Sequence, residues 1–260
     1  MTGLDLLWWV GWAWFASWAA LPLALTPFIG TAAGLVAWAV LTPFTSLLGM
    51  TLLHRLLPAS DPGTFQLFAD RGSMRWAMKG WAPSVYLTVF QPIMFQSTGF
   101  QRLTLRAFGA RMAPGALMTS RTIVREPHHV QLGASTLVGE FVHLICSYQP
   151  RPGLLVVDRI EIGDHVLVGA YSHVGPGVRI GPRCLLEYAV RVGAHTTVGE
   201  GTRIGAGTSI YNSVRIGAGV SIGKGCLIPS GAVIPNGARV PDGTVVHAMP
   251  STLPGPRSAT

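Results

Sequence analysis

His143, Glu161, Arg179, Thr197 and Arg215 stand eighteen residues apart, each one place before an aliphatic residue. If the chain brings residue n beside residue n+18, these side chains share one face. An imidazole against a carboxylate then forms a general base with an orienting partner, His143 with Glu161. Histidine suits that task because its ordinary pKa lies near neutral pH. The arginines further along, with Lys224, would supply cations for an anionic co-substrate. The same spacing sets His173 beside Arg191, His165 between Ser147 and Arg183, and His195 beside Ser213. Each of these also reads as a solvated surface histidine. A ladder of alternating charge is the plain alternative for the first set. His128–His129 and His247 lie outside the regular pattern.

The elements that must position these residues follow from a period of six. From Ile162 to Val246, every sixth residue is Ile, Val or Leu, and glycine usually follows it. The same phase includes Leu132, Val138, Leu144 and Val156, with Pro150 breaking it. Two places before each aliphatic residue stands a small or aliphatic one, such as Val166, Val178, Cys184 or Thr202. The residue between them is often polar. Side chains alternate across a strand, so two positions point inward and the one between points outward. Gly, Pro, Asp and Asn fill the rest of each hexad and make the corner. Short strands joined by corners and repeated in this way build a β-solenoid, whose core forms by stacking. Cys184 and Cys226 take inward positions and read as inert core. Three cysteines without a CxxC pair argue against a disulfide framework or zinc site.

This pattern, with the closing "VPDGTVVHAMPST", resembles the hexapeptide-repeat transferases. The resemblance implies a mainly β fold, a left-handed parallel β-helix over 114–252, with three hexads per triangular coil. It also implies a trimer, acyl transfer, and an acyl-coenzyme A lying along the coils. On that reading His143 is the base, Glu161 its orienter, and Arg179, Arg215 and Lys224 meet the phosphates of the coenzyme. Five levels from His143 to Arg215 span about 19 Å at the usual strand spacing, similar to an extended coenzyme A. Ala248 and Met249 depart from the closing pattern of the family. A zinc-binding branch of this fold needs converging imidazoles. No close histidine pair inside the coils resembles it, so no metal is expected. Many transferases of this fold also interrupt the coils with a protruding loop. Only 146–157, "CSYQPRPGLLVV", can bulge here without disturbing the phase.

The N-terminal part differs in kind. Residues 6–53 contain no Asp, Glu, Lys or Arg, and mean hydropathy over the chain is +0.42. Residues 4–25 and 27–53 are each long and apolar enough to span a bilayer, as a hairpin turning at Pro22–Pro27. Arg55, Arg71, Arg75 and Lys79 follow, which places both ends in the cytoplasm by the positive-inside rule. A signal peptide would start basic and carry a shorter apolar core. Residues 76–109 read as interfacial or re-entrant, with a third span as the rival. The segment "FQRLTLRAFGARM" suits a helix lying on anionic lipid through Arg102 and Arg106, or an ordinary connecting helix. Residues 1–113 are thus a membrane anchor, and 253–260 a flexible tail. The layout of membrane segment, "LRAFGARMAPGALMTS" and β-helix is similar to the C-terminal membrane region of polylysine-synthetase-like peptide synthetases.

The net charge of +8 is spread over both halves without a basic, aromatic-lined face, which argues against nucleic acid. The expected function is acyl transfer at the inner (plasma) membrane, with the β-helix facing the cytoplasm. The donor is an acyl-coenzyme A carrying an acetyl or related group, and the acceptor a hydroxyl or amine, lipid-linked or small. Two alternatives remain at this stage. One is a non-catalytic trimeric scaffold. The other is an amide-forming domain acting on an acyl group bound to a carrier protein.

Overall fold

The computed structural model describes residues 3–94, 97–119 and 121–246. The second half of the closing segment, with His247, and the tail 253–260 lie outside these residues.

The coils form three parallel sheets of seven, seven and six strands, one for each side of a β-solenoid of about seven turns. Most strands are two residues long. In Arg179–Ile180 the first residue is exposed and the second buried, and this alternation repeats along the chain. The inward residues make one continuous core from Met112 to Ile234, including Cys146, Cys184 and Cys226. All three cysteines are free and buried. Thr196, Thr202 and Thr208 are also inward, and each donates its hydroxyl to a carbonyl one corner away (Tyr211, Gly217 and Gly223). Burial therefore leaves these hydroxyls paired.

Along most of the solenoid residue n pairs with n+18, as in Arg179 with Thr197 and Thr197 with Arg215. Two places break that spacing. The short helix Pro127–His129 lengthens the first coil, so Arg111 pairs with Gln131. More consequentially, Ser147–Arg151 and Leu154–Val157 leave the solenoid as an antiparallel hairpin. The outer hairpin strand Leu154–Val157 pairs with strand Gly63–Gln66, joining the solenoid to the preceding half of the chain. The excursion adds twelve residues, two whole hexads, so the six-residue phase survives while the coil register shifts. Across it Gln131 pairs with Glu161, and His143 with His173.

The helices are α1 (Gly3–Ala20), α2 (Thr26–Ile29), α3 (Thr31–Leu56), α4 (Arg71–Met94) and α5 (Thr98–Ala107). Among the described residues α3 alone is long and apolar enough to cross a membrane. It packs against α1, and the indole N–H groups of Trp14 and Trp38 donate across the pair to Gly49 and Ala19 carbonyls. Residues 80–94 lie in α4, with Pro83 and Pro92 inside it, and residues 98–101 in α5. In α5 Arg102 turns inward and donates to the Ala113 carbonyl, while Gln101, Thr104 and Leu105 are buried. This helix therefore connects the bundle to the first coil, where Arg102 has a protein partner.

The joint between the two halves is polar. Glu126 is buried and accepts from Trp76 Nε1 on α4, from the Ser147 hydroxyl and from the Cys146 amide. Beside it the rings of His54, His128 and His129 pack in a row.

Candidate functional site

The register shift separates the pair that the sequence placed together. His143 lies on the third face, over Ile123 and under His173, whereas Glu161 lies on the first face between Gln131 and Arg179. His143 does not stack on Glu161. The rest of the expected column is present: Glu161, Arg179, Thr197 and Arg215 follow one another on the first face. Glu161 and Arg179 form an ion pair at 3.4 Å with both side chains well exposed, and such pairs add little stability. Lys224 sits at a different corner, between the second and third faces, where its amide donates to Asp242. The three cations expected for one ligand thus do not share a face. His165 follows Ser135 and not Ser147 at its corner, because the hairpin intervenes here too.

The first-face column lines a groove of about 430 Å³, with Glu161, Arg179 and Thr197 in its wall. The third face carries a second site. Its outward column runs Ile123, His143, His173, Arg191, Ser209, Leu227. The His143 and His173 rings are 4.6 Å apart between centroids. Partial burial lowers the pKa of His143, and a charge on His173 lowers it further. A groove of about 420 Å³ follows this column, with His173, Arg191, Ser209, Tyr211 and Asn212 in its lining. Tyr148 reaches it from the hairpin and forms part of the wall. The excursion that spoiled the register thereby supplies a side chain that the regular coils lack.

At the corner between the third and first faces stands the imidazole–carboxylate contact. His195 Nδ1 lies 3.3 Å from Asp158 Oδ2. Asp158 closes the hairpin root, where its amide donates to the Cys146 carbonyl. His195 is held by its own amide, which donates to the Pro176 carbonyl, and Pro176 and Ala194 both line the groove. Gly177 makes the contact possible. A Cβ there would fall 2.4 Å from His195 Nδ1 and 2.7 Å from Asp158 Oδ2, and its φ of +73° disfavours any side chain. With Nδ1–H donating to Asp158, Nε2 carries the free lone pair, which is the tautomer a general base needs. Sequence reasoning set His195 against Ser213 alone. The amide of Ser213 does bond the coil at Ala194, but Asp158 enters only through the hairpin. The available signal was Asp158 itself, an acidic residue where the hexads resume.

The described residues contain no group of three or more His, Cys, Asp or Glu placed to hold a metal ion.

The family model described as bacterial transferase hexapeptide (six repeats) matches residues 159–194 and 195–230. The match covers 72 residues, all within the regular coils of the solenoid. Comparison with curated proteins finds no match. Among solved structures the chain is similar to AntD, an N-acyltransferase from Bacillus cereus in complex with dTDP and 3-hydroxybutyryl-CoA. Identity is 15%, coverage 51% of this chain and 80% of that one, and the TM-score 0.42. It is also similar to LpxA from Acinetobacter baumannii, with 17% identity, 46% and 57% coverage and a TM-score of 0.37. The acetyltransferase domain of PglB from Neisseria gonorrhoeae is 21% identical, with 51% of each chain covered and a TM-score of 0.19.

Proposed function

We propose that the protein is a membrane-anchored acyltransferase that moves an acyl group, such as acetyl, from an acyl-coenzyme A to a hydroxyl or amine near the cytoplasmic face. The contact between His195 and Asp158, which adjoins the groove residues Ala194 in the chain and Pro176 by hydrogen bond, carries this reading. Nε2 of His195 takes the proton of the acceptor as its oxygen or nitrogen attacks the thioester carbonyl. The C–S bond then breaks, and the imidazolium returns the proton to the leaving thiolate. Asp158 holds the ring and stabilises its charged form. Arg191, in the groove, meets an anionic part of the donor, and the His143–His173 pair flanks the site. In this reading Arg179, Arg215 and Glu161 lie outside the reaction, on the first face. The apolar helix α3, with α1 beside it, is the anchor.

The acting form is a homotrimer. On the second face Leu117, Leu137, Leu167 and Leu185 point outward in four consecutive coils, where Arg203, Ser221 and Arg239 follow in the next three. Leu117 and Leu167 are 45% and 39% exposed. A stripe of this kind marks a contact surface. Copies related by a rotation axis parallel to the solenoid meet coil against coil at equal height, which such a stripe suits.

The test uses the full chain in detergent, with acetyl-, malonyl- and long-chain acyl-coenzyme A. Donor binding is read as a rise in melting temperature, and turnover as thiol release. His195→Gln should keep the rise and lose about 10²–10⁴ in turnover, the usual contribution of a general base. Asp158→Asn should lose less. Binding with unchanged turnover in His195→Gln would refute the assignment of the base. Absence of binding by every donor would refute the transferase reading.

A further inference from the structure

Another cavity lies away from the groove, where α4 and α5 meet the first coil. It measures about 280 Å³ and is lined by Gln91, Gln101, Ser84, Thr88 and Arg125 above an apolar floor that includes Leu87. Gln101 is only 4% exposed, and its carboxamide has no hydrogen-bond partner among the described residues. Gln101 lines the cavity, where a ligand or water can meet its carboxamide. The hydroxyls cannot serve as donors there: Ser84 donates to Gly80, Thr88 to Ser84, and the neighbouring Thr122 to Thr119 and Gly139. The free donors are the two carboxamides and the Arg125 guanidinium. No acidic residue lines the cavity, and Arg125 has no ion-pair partner among the described residues.

Donors without acceptors, one cation and an apolar floor define the occupant. We propose that this cavity binds the phosphate-ester head group of a membrane lipid, with Arg125 and Gln101 donating to the phosphate oxygens. The volume suits a head group rather than a whole lipid, since sites for drug-sized ligands run from about 300 to 1,000 Å³. The chains would leave along α4, whose Val89 is exposed. A free phosphate ester has the same head-group chemistry, and the test separates the two. The inference goes beyond the proposed transfer, because the cavity shares no residue with the groove. Its test reads binding alone, so its failure and the failure of the transfer reaction are seen separately.

Calorimetry on the full chain in detergent would compare dihexanoyl phosphatidic acid, glycerol 3-phosphate and dihexanoylglycerol. The lipid phosphate should bind at least about tenfold tighter than glycerol 3-phosphate, and the uncharged diacylglycerol should not bind. Arg125→Gln, at an exposed position that tolerates change, should weaken binding by about tenfold, as expected for one charge-assisted hydrogen bond. Gln101→Leu should weaken it by a smaller factor, and Arg106→Gln, outside the cavity, should not change it. Equal affinity for glycerol 3-phosphate and the lipid would overturn the lipid assignment in favour of a free phosphate ester. Binding that is unaltered in Arg125→Gln, or equal for phosphate and diacylglycerol, would overturn the site.

Discussion

Glu126 is the side chain on which the joint between helices and solenoid depends, and replacing it tests that dependence. Its carboxylate accepts from Trp76 Nε1 at 3.2 Å, from Ser147 Oγ at 2.6 Å and from the Cys146 amide at 3.3 Å. Glu126→Leu keeps roughly the volume but leaves three donors without an acceptor. Each orphaned buried donor costs about 1–3 kcal/mol. Relief from burying a carboxylate offsets part of that. A net loss of roughly 4 kcal/mol follows, felt locally at the hairpin root. Cys146 reports on it, being fully buried and bonded through its own amide to Glu126. Labelling of a buried thiol requires the surroundings to open. At 1.4 kcal/mol per factor of ten, Cys146 in Glu126→Leu should react about a thousandfold faster with a thiol reagent. Peptide-resolved mass spectrometry follows the three cysteines at once, with Cys184 and Cys226 as internal controls. Glu126→Gln retains one acceptor oxygen and should fall between the two. An unchanged Cys146 rate in Glu126→Leu, or equal acceleration at all three cysteines, would refute the local clasp.

Acid should loosen the same joint. Burial, chiefly, depresses the pKa of His128 to about 3 and of His129 to about 4. Both therefore bind protons more weakly folded than unfolded, and stability falls as pH drops below the unfolded value near 6.5. The loss approaches about 1.4 kcal/mol per pH unit for each ring down to its folded pKa. Asp61, Asp158, Arg159 and Lys79 contribute to the local field. Urea titrations at pH 7 and pH 5 should show this slope, and His128→Phe should reduce it. A slope unaltered by that substitution would assign the acid sensitivity elsewhere. Leu167→Glu places a charge in the middle of the leucine stripe. It should reduce the oligomer measured by light scattering to monomer while leaving β content by circular dichroism unchanged.

The solenoid was legible because its physics is periodic. Inward aliphatic residues, outward polar ones and corner residues all repeat with the coil, so Ile162 to Val240 could be placed residue by residue. The place of the hairpin was legible, as the one segment, 146–157, that can bulge without disturbing the phase. The shift of coil register it causes was not, and for a physical reason. An insertion of twelve residues preserves every hexad phase, so a period of six cannot show it, although Pro150 and Gly153 marked a turn. Everything inferred across it by adding eighteen was displaced: His143 lost Glu161 and gained His173, and His165 lost Ser147. Everything below it held, from Glu161 to Arg215. Long-range partners such as Gly63–Gln66 for the hairpin leave no trace in the period at all. In α5 the charge pattern of the two arginines could not show that Arg102 also donates to the Ala113 carbonyl of the first coil.

The departures from regularity gather in the coils nearest the helices, and their energetics can be checked at one corner. Between the second and third faces the left-handed position is occupied by Arg121, Phe141, Tyr171 and Ala189, then by Gly207, Gly225 and Gly243. A left-handed conformation costs a residue with a Cβ about 1–2 kcal/mol, so the outer coils use glycine. The inner coils keep large side chains there. Phe141 and Tyr171 stack with centroids 4.8 Å apart and planes 17° from parallel, and Tyr188 follows Tyr171 at 5.3 Å. Arg121 lies 5.2 Å over the Phe141 ring. Each aromatic contact contributes about 0.5–1.5 kcal/mol beyond its burial, so two contacts roughly offset the strain at Tyr171. Tyr171→Gly should therefore change unfolding free energy by less than about 1 kcal/mol, although it removes a whole aromatic side chain. Tyr171→Ala keeps the backbone strain and loses the stacking, and should cost about 1–2 kcal/mol more than glycine. Chemical unfolding of both variants measures the difference. If alanine equals glycine at this corner, the strain is absent and the aromatic column needs another explanation.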